Sequence, residues 1–199
     1  MFAKSPIRLR EAIPEVLENA NENLTPRMRN LVEMLWSEWK GLELQIAEMN
    51  DEVERIASSD AACVRLRQIP GVGPLVATAI VASIGNGAAF RKGREFAAWM
   101  GLVPKQHSTG GKAKLYGISK RGNRYLRKIL IHGARGVVLR SRRERIAMGA
   151  WVTSLEMRTP RNVLIVAMAN KLARITWAVL STGQDYRVVR TLSWHNTAT

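Results

Sequence analysis

Apolar residues at Met28, Leu31, Leu35, Trp39, Leu42, Ile46, Met49, Val53 and Ile56 recur at alternating spacings of three and four. Only a helix places such positions on one stripe, and over about four heptads the stripe is a coiled-coil seam. Thr25-Pro26 supplies its start, a threonine N-cap followed by proline at the first helical position. Two arrangements satisfy the seam: an amphipathic helix folded back on its own domain, or a coiled coil with another helix. Gly41 is a soft spot within it, and the glutamates between the apolar positions point to a protein partner.

The charge divides along the chain. Residues 1–60 hold 7 Lys/Arg against 12 Asp/Glu, a balance of −5, whereas residues 61–199 hold 24 against 4, a balance of +20. Two functional regions follow, an acidic arm and a basic body that attracts polyanions, with nucleic acid favoured over membrane. A merely basic soluble protein satisfies the same balance. The single cysteine, Cys63, excludes an intramolecular disulfide framework, and with three scattered histidines it gives no metal-ligand spacing. The amino terminus has no signal-like apolar run, so the expected location is the cytoplasm, associated with the nucleoid. The uncharged run 69–90 contains prolines, glycines and Asn86, and its apolar part from Leu75 to Ile84 is too short to span a membrane.

In order, residues 1–24 read as a lead-in or linker, because Pro6, Pro14 and the asparagines near Asn19 argue against a fixed long helix there. The coiled-coil arm takes 25–59, a helical domain 60–183, and a tail 184–199. A short helix before Ile69-Pro70-Gly71-Val72-Gly73-Pro74 and an apolar helix after it form the helix-hairpin-helix pattern. In that pattern Gly71 and Gly73 free backbone N–H groups to hold a phosphate; the alternative is a tight turn between two core helices. A helix near Gly93 to Met100 has Arg91, Lys92 and Arg94 at its start, where cations oppose the helix dipole and face an anion instead.

Lys105 to Gly117 is a loop of glycines, lysines, His107, Ser108 and Thr109 with no carboxylate. A serine there is ordinarily a turn former, and the residues by themselves do not make it a nucleophile. Ser119 is placed to cap a helix reaching about Arg140. On it Lys120, Arg121, Arg124, Arg127 and Lys128 lie toward one side, Leu126, Ile129, Leu130, Val137 and Val138 toward the other. A further helix spans about Ile146 to Met157. Thr159-Pro160 repeats the cap chemistry and opens a last, nearly all-apolar helix, the best core candidate, with Lys171 and Arg174 emerging at one edge. The expected fold is all-α, a long coiled-coil-like helix followed by a compact helical domain with a helix-hairpin-helix, and no strand is expected.

These pieces in this order, Ile69 to Pro74, Phe90, Gly101-Leu102-Val103-Pro104, His107 to Lys112, Gly117 to Asn123 and Leu126-Arg127, resemble the carboxy-terminal half of the DEDD-type insertion-sequence transposases, the bridge-RNA-guided DNA recombinases of mobile elements. The resemblance covers roughly residues 60–180. It implies DNA transposition and recombination in which Ser108 attacks a DNA phosphodiester, with Thr109 the poorer candidate. Lys105, Lys112, Lys120 and Arg121 would then stabilise the phosphate. It implies DNA and structured guide RNA as partners, and a homo-oligomer or full-length transposase meeting residues 25–59. The alternative is a catalytically silent binding or oligomerisation fragment. The family's amino-terminal RuvC-like domain, whose four carboxylates bind magnesium, has no counterpart in these 199 residues, so no cofactor is expected here and Mg²⁺ belongs to that missing half.

Overall fold

The computed structural model describes residues 6–19, 24–109, 112–142 and 146–186. The expectations for the tail beyond Tyr186, for Gly110 and Gly111, and for Arg143 to Arg145 fall outside the described residues. The chain forms two compact units, Met1–Glu52 and Val53–Thr199.

In the first unit, α1 (Pro6–Glu18) and the greater part of α2 (Pro26–Ser59) pair through side chains. α2 begins as its sequence dictates, with the Met28 N–H donating to Thr25 Oγ1 at 3.2 Å. α1 forms where prolines argued against a helix. Pro6 occupies its first turn at no cost, whereas Pro14 removes an interior hydrogen bond, a loss of about 3 kcal/mol in an isolated helix. Contacts with α2 offset that loss: the Arg29 guanidinium donates to the carbonyls of Val16, Leu17 and Asn19, which the helix end leaves open, and Arg10 meets Glu43 at 3.3 Å. These pairings make the two helices antiparallel. Along α2, Leu35, Ile46 and Met49 are nevertheless more than half exposed, at 66%, 59% and 62%.

α2 continues past residue 52 to Ser59, and Asp60 then starts α3 (Ala61–Arg67). Asp60 Oδ1 accepts from the N–H groups of Ala62 and Cys63 at 2.7 and 2.9 Å, so Asp60→Ala should cost about 1 kcal/mol, read as a lower urea midpoint. Burial, followed by the Asp60 charge and hydrogen bond, pushes the Cys63 thiol up from 9.0 to about 11. Between these values the unfolded chain ionises its thiol while the folded chain keeps it protonated, so rising pH favours the unfolded state. The stability is fully present below pH 9.0 and is lost as pH rises through about 11. Urea midpoints across that window should fall more in the wild type than in Cys63→Ala.

α4 (Pro74–Ile84), α5 (Gly93–Trp99), α6 (Arg124–Arg140) and α7 (Gly149–Glu156) complete the second unit with α8 (Arg161–Thr182). α8 is its centre: α3, α5, α6 and α7 pack on it, and α4 packs on α3 and α6. Leu164, Met168, Ala169, Leu172 and Ala173 are fully buried. By length and composition α8 could cross a membrane, but half of its apolar window is buried in the unit, as the core helix the sequence indicated. Thr159 does not cap it; its hydroxyl donates back to the Leu155 carbonyl at 2.7 Å and closes α7, while Pro160 takes the cap position. After Gly183, the Tyr186 N–H donates to Gln68 Oε1 at 3.1 Å, docking the start of the tail.

The fold is mostly α, with one departure. Residues 104–118 form an antiparallel hairpin, β1 (Pro104–Thr109) and β2 (Lys112–Ile118), where no strand was expected. The described strand side chains are exposed except the half-buried Ile118, and after Pro104 the β1 sequence has no apolar residue to signal a strand.

Candidate nucleic-acid interface

The hairpin is fixed at its base by backbone. Ser119 N–H donates to the Val103 carbonyl at 2.8 Å and Lys120 N–H to that of Gly101 at 3.1 Å. Lys120 takes φ 57° and Gly122 φ 100°, both left-handed, so the chain cannot be helical here. α6 therefore starts later than expected, with Asn123 Oδ1 accepting from the Leu126 N–H at 3.0 Å, and Ser119 is not its cap. Lys120 and Arg121 lie before the helix and not on it. Two close backbone contacts lock this corner: a Cβ on Gly122 would stand 1.7 Å from the Trp99 carbonyl oxygen, and one on Gly101 2.1 Å from that of Arg121.

Ser108 is on β1, its Cα opposite Ala113, and Thr109 is opposite Lys112. At strand rise the four steps from Pro104 carry position 108 about 13 Å from the hairpin base. The side chains at 107–109 and 112 fall outside the described residues. Lys105 and Lys120 come together, lining a shallow cavity of about 450 Å³ with Tyr116, Gly117 and Ile118.

The other expected phosphate contacts divide. Arg124 and Lys128 are exposed one turn apart on α6. Arg127 is half-buried, and its guanidinium donates to the Met100 carbonyl at 2.9 Å, which gives it a structural role. Gly71, at φ 86°, presses on α6: a Cβ there would meet Val137 Cγ2 at 2.6 Å and the Gly133 oxygen at 2.8 Å. Ile69 and Val72 beside it are buried, so this turn is packed between core helices. Gly73 is exposed at the start of α4, with open space where a Cβ would be. Gly71 meets α6 ten or more residues beyond Asn123, about 15 Å along the helix, so the glycine turn and the hairpin base are separate places.

The structure adds residues that the sequence did not single out as a site. Lys171 and Arg174 of α8 border two cavities, one reaching Lys92 and Arg94, the other reaching Tyr116, Lys120 and Trp151. Lys171 Nζ lies 4.5 Å from the centre of the Trp151 ring. Burial, then the Arg174 charge, holds the Lys171 amine below its ordinary value. The i, i+3 pair on an otherwise apolar helix was the available signal; Tyr116 and Trp151 gave none. Among the described residues no three His, Cys, Asp or Glu side chains group to hold a metal ion.

Fold and surface together define a helical unit bearing one exposed hairpin with cations at its base. Residues 63–149 match the family model described as Transposase IS116/IS110/IS902 family. A probable family 20 transposase of Pseudomonas aeruginosa is 48% identical over 160 residues, 80% of this chain and 47% of its own length. The transposase for insertion sequence element IS1111A of Coxiella burnetii is 38% identical over 186 residues, 94% of this chain and 51% of its own. A putative transposase y4pF/y4sB of Sinorhizobium fredii is 37% identical over 170 residues, 84% and 44%. The chain spans about half the length of these curated relatives.

Proposed function

We propose that the chain acts in DNA transposition as the carboxy-terminal part of an insertion-sequence transposase, gripping DNA through its basic unit and supplying Ser108 as the nucleophile. The observation that carries this reading is the hairpin: it stands out from a helical unit and carries position 108 toward its end, with Lys105 and Lys120 at its base and no carboxylate from Lys105 to Gly117. The relatives' names point the same way. In the step proposed, Ser108 Oγ attacks phosphorus and forms a Ser–O–P ester; the P–O bond to one sugar breaks, and that oxygen leaves as a hydroxyl carrying the serine proton. The neighbouring lysines stabilise charge on the phosphate. Guide RNA is a further partner for the same basic surface, and carboxylates outside these residues would hold any Mg²⁺ the reaction uses. The working location is the cytoplasm, at the nucleoid.

A duplex titration over a range of salt tests the grip. Lys105, Lys120, Arg121, Arg124 and Lys128 are all exposed. If each meets a phosphate, log affinity should fall with log salt at a slope of about −4 to −5. A flat response removes the phosphate-binding surface. The exposed seam of α2 favours one addition, pairing with a second copy or with a full-length transposase through residues 25–59. Sedimentation as a monomer at high protein concentration rejects pairing between copies.

A further inference from the structure

We propose that the edge of α8 holds an unpaired nucleic-acid strand, with phosphates at Lys171 and Arg174 and bases laid against Tyr116 and Trp151. This rests on the nucleic-acid reading above and adds to it a place and a strand type.

The two cavities that share Lys171 and Arg174 differ in character. The first, about 790 Å³, brings Lys92 and Arg94 to the α8 cations. Gly93 makes that approach possible, because a Cβ there would stand 3.0 Å from the Arg174 carbonyl oxygen. Asp185 also borders this cavity, but its carboxylate accepts from Gln68 Nε2 at 3.2 Å. The second, about 860 Å³, has Leu102 and Val163 among its walls together with Tyr116 and Trp151, and Lys120 at its border. The Asn170 amide, donating to the Leu102 carbonyl at 3.1 Å, fixes this wall to α8. Both volumes lie in the range of about 300–1,000 Å³ that encloses small ligands.

Cations on one side of a ridge and aromatic and aliphatic surface on the other match a strand whose bases are free. A duplex presents phosphates but keeps its base faces stacked inside, so the second cavity would have nothing to hold. A single strand offers both, and base-on-aromatic contact is the ordinary source of affinity in such grooves. Tyr116 is 49% exposed, with Lys114 Nζ 5.7 Å from its ring centre adding a cation beside the aromatic surface.

Fluorescence anisotropy with the full chain, using labelled oligo(dT), oligo(rU) and a duplex of equal length, tests the assignment. Tyr116→Ser should weaken single-strand binding roughly five- to a hundredfold and duplex binding much less. Lys171→Gln with Arg174→Gln should flatten the single-strand salt slope by about 1.4, two contacts at about 0.7 each. Arg174→Gln alone, at an exposed position, should give about half of that change and guards against misfolding of the double variant. A preference for oligo(dT) or for oligo(rU) identifies the strand as DNA or RNA. Equal losses on single strand and duplex, or no loss with any of these variants, overturn the groove while leaving the general nucleic-acid reading in place. Failure of the wild type to bind any of the three probes overturns both.

Discussion

Ser108→Ala should abolish the covalent protein–DNA adduct while leaving duplex affinity and folding unchanged. The hairpin ladder is made of backbone, and alanine at 108 keeps both its N–H and its carbonyl, so the Ser108 to Ala113 pairing survives and stability should move by no more than about 0.5 kcal/mol. The chemistry is a different matter. Removing a nucleophile leaves only the binding and electrostatic contributions, and adduct formation should fall at least about a thousandfold, or about 4 kcal/mol of transition-state stabilisation. The measurement is a denaturing gel of the assembled reaction, with element ends, guide RNA and a full-length transposase whose own serine has been removed. Thr109→Ala is the control. An adduct that persists in Ser108→Ala but disappears in Thr109→Ala transfers the role to the neighbouring residue; one that persists in both removes nucleophilic chemistry from this hairpin.

The helices were legible because each has a local cause. Thr25 caps α2 and the nearly all-apolar sequence of α8 marks it as central, and the structure has both. What was missed is tertiary. α1 depends on Arg29 reaching back 10 to 13 residues to the carbonyls of Val16, Leu17 and Asn19, a contact that helical periodicity does not encode. The hairpin has Gly110-Gly111 between its two runs, a known two-residue turn signal, but Lys105 to Thr109 carry no apolar residue, so only the second run alternates. The candidate site was legible as composition and not as placement. Arg127 carries the same charge as Arg124, yet the Met100 carbonyl claims it, and Gly71, read as a phosphate contact, is pressed against Gly133. The pairing of Lys171 and Arg174 with Tyr116 and Trp151 joins three elements far apart in sequence, so the cavities alone reveal it.

Gly122→Ala should be the most damaging single change in the hairpin base. At φ 100° an L side chain is strained, a cost of about 1–3 kcal/mol. The added Cβ would also fall 1.7 Å from the Trp99 carbonyl oxygen, a backbone atom that no rotamer change can move away. Overpacking of this kind adds about 1–3 kcal/mol, for a total of roughly 2–6 kcal/mol. Relief requires separating residues 99–101 from 120–122, and these segments hold the Lys120 to Gly101 hydrogen bond and set where α6 begins. A melting temperature lower by about 5 to 20 °C is expected in a unit of this size. Gly41→Ala, in an exposed stretch of α2 with open space around its Cβ, should instead stabilise by about 0.5–1 kcal/mol, because alanine favours the helix. If Gly122→Ala melts with the wild type, the segments 99–101 and 120–122 are not locked together, and the hairpin base has another support. If it melts low but still binds duplex with the wild-type salt slope, Lys105 and Lys120 do not contribute to the grip, and Arg124 and Lys128 on α6 carry it.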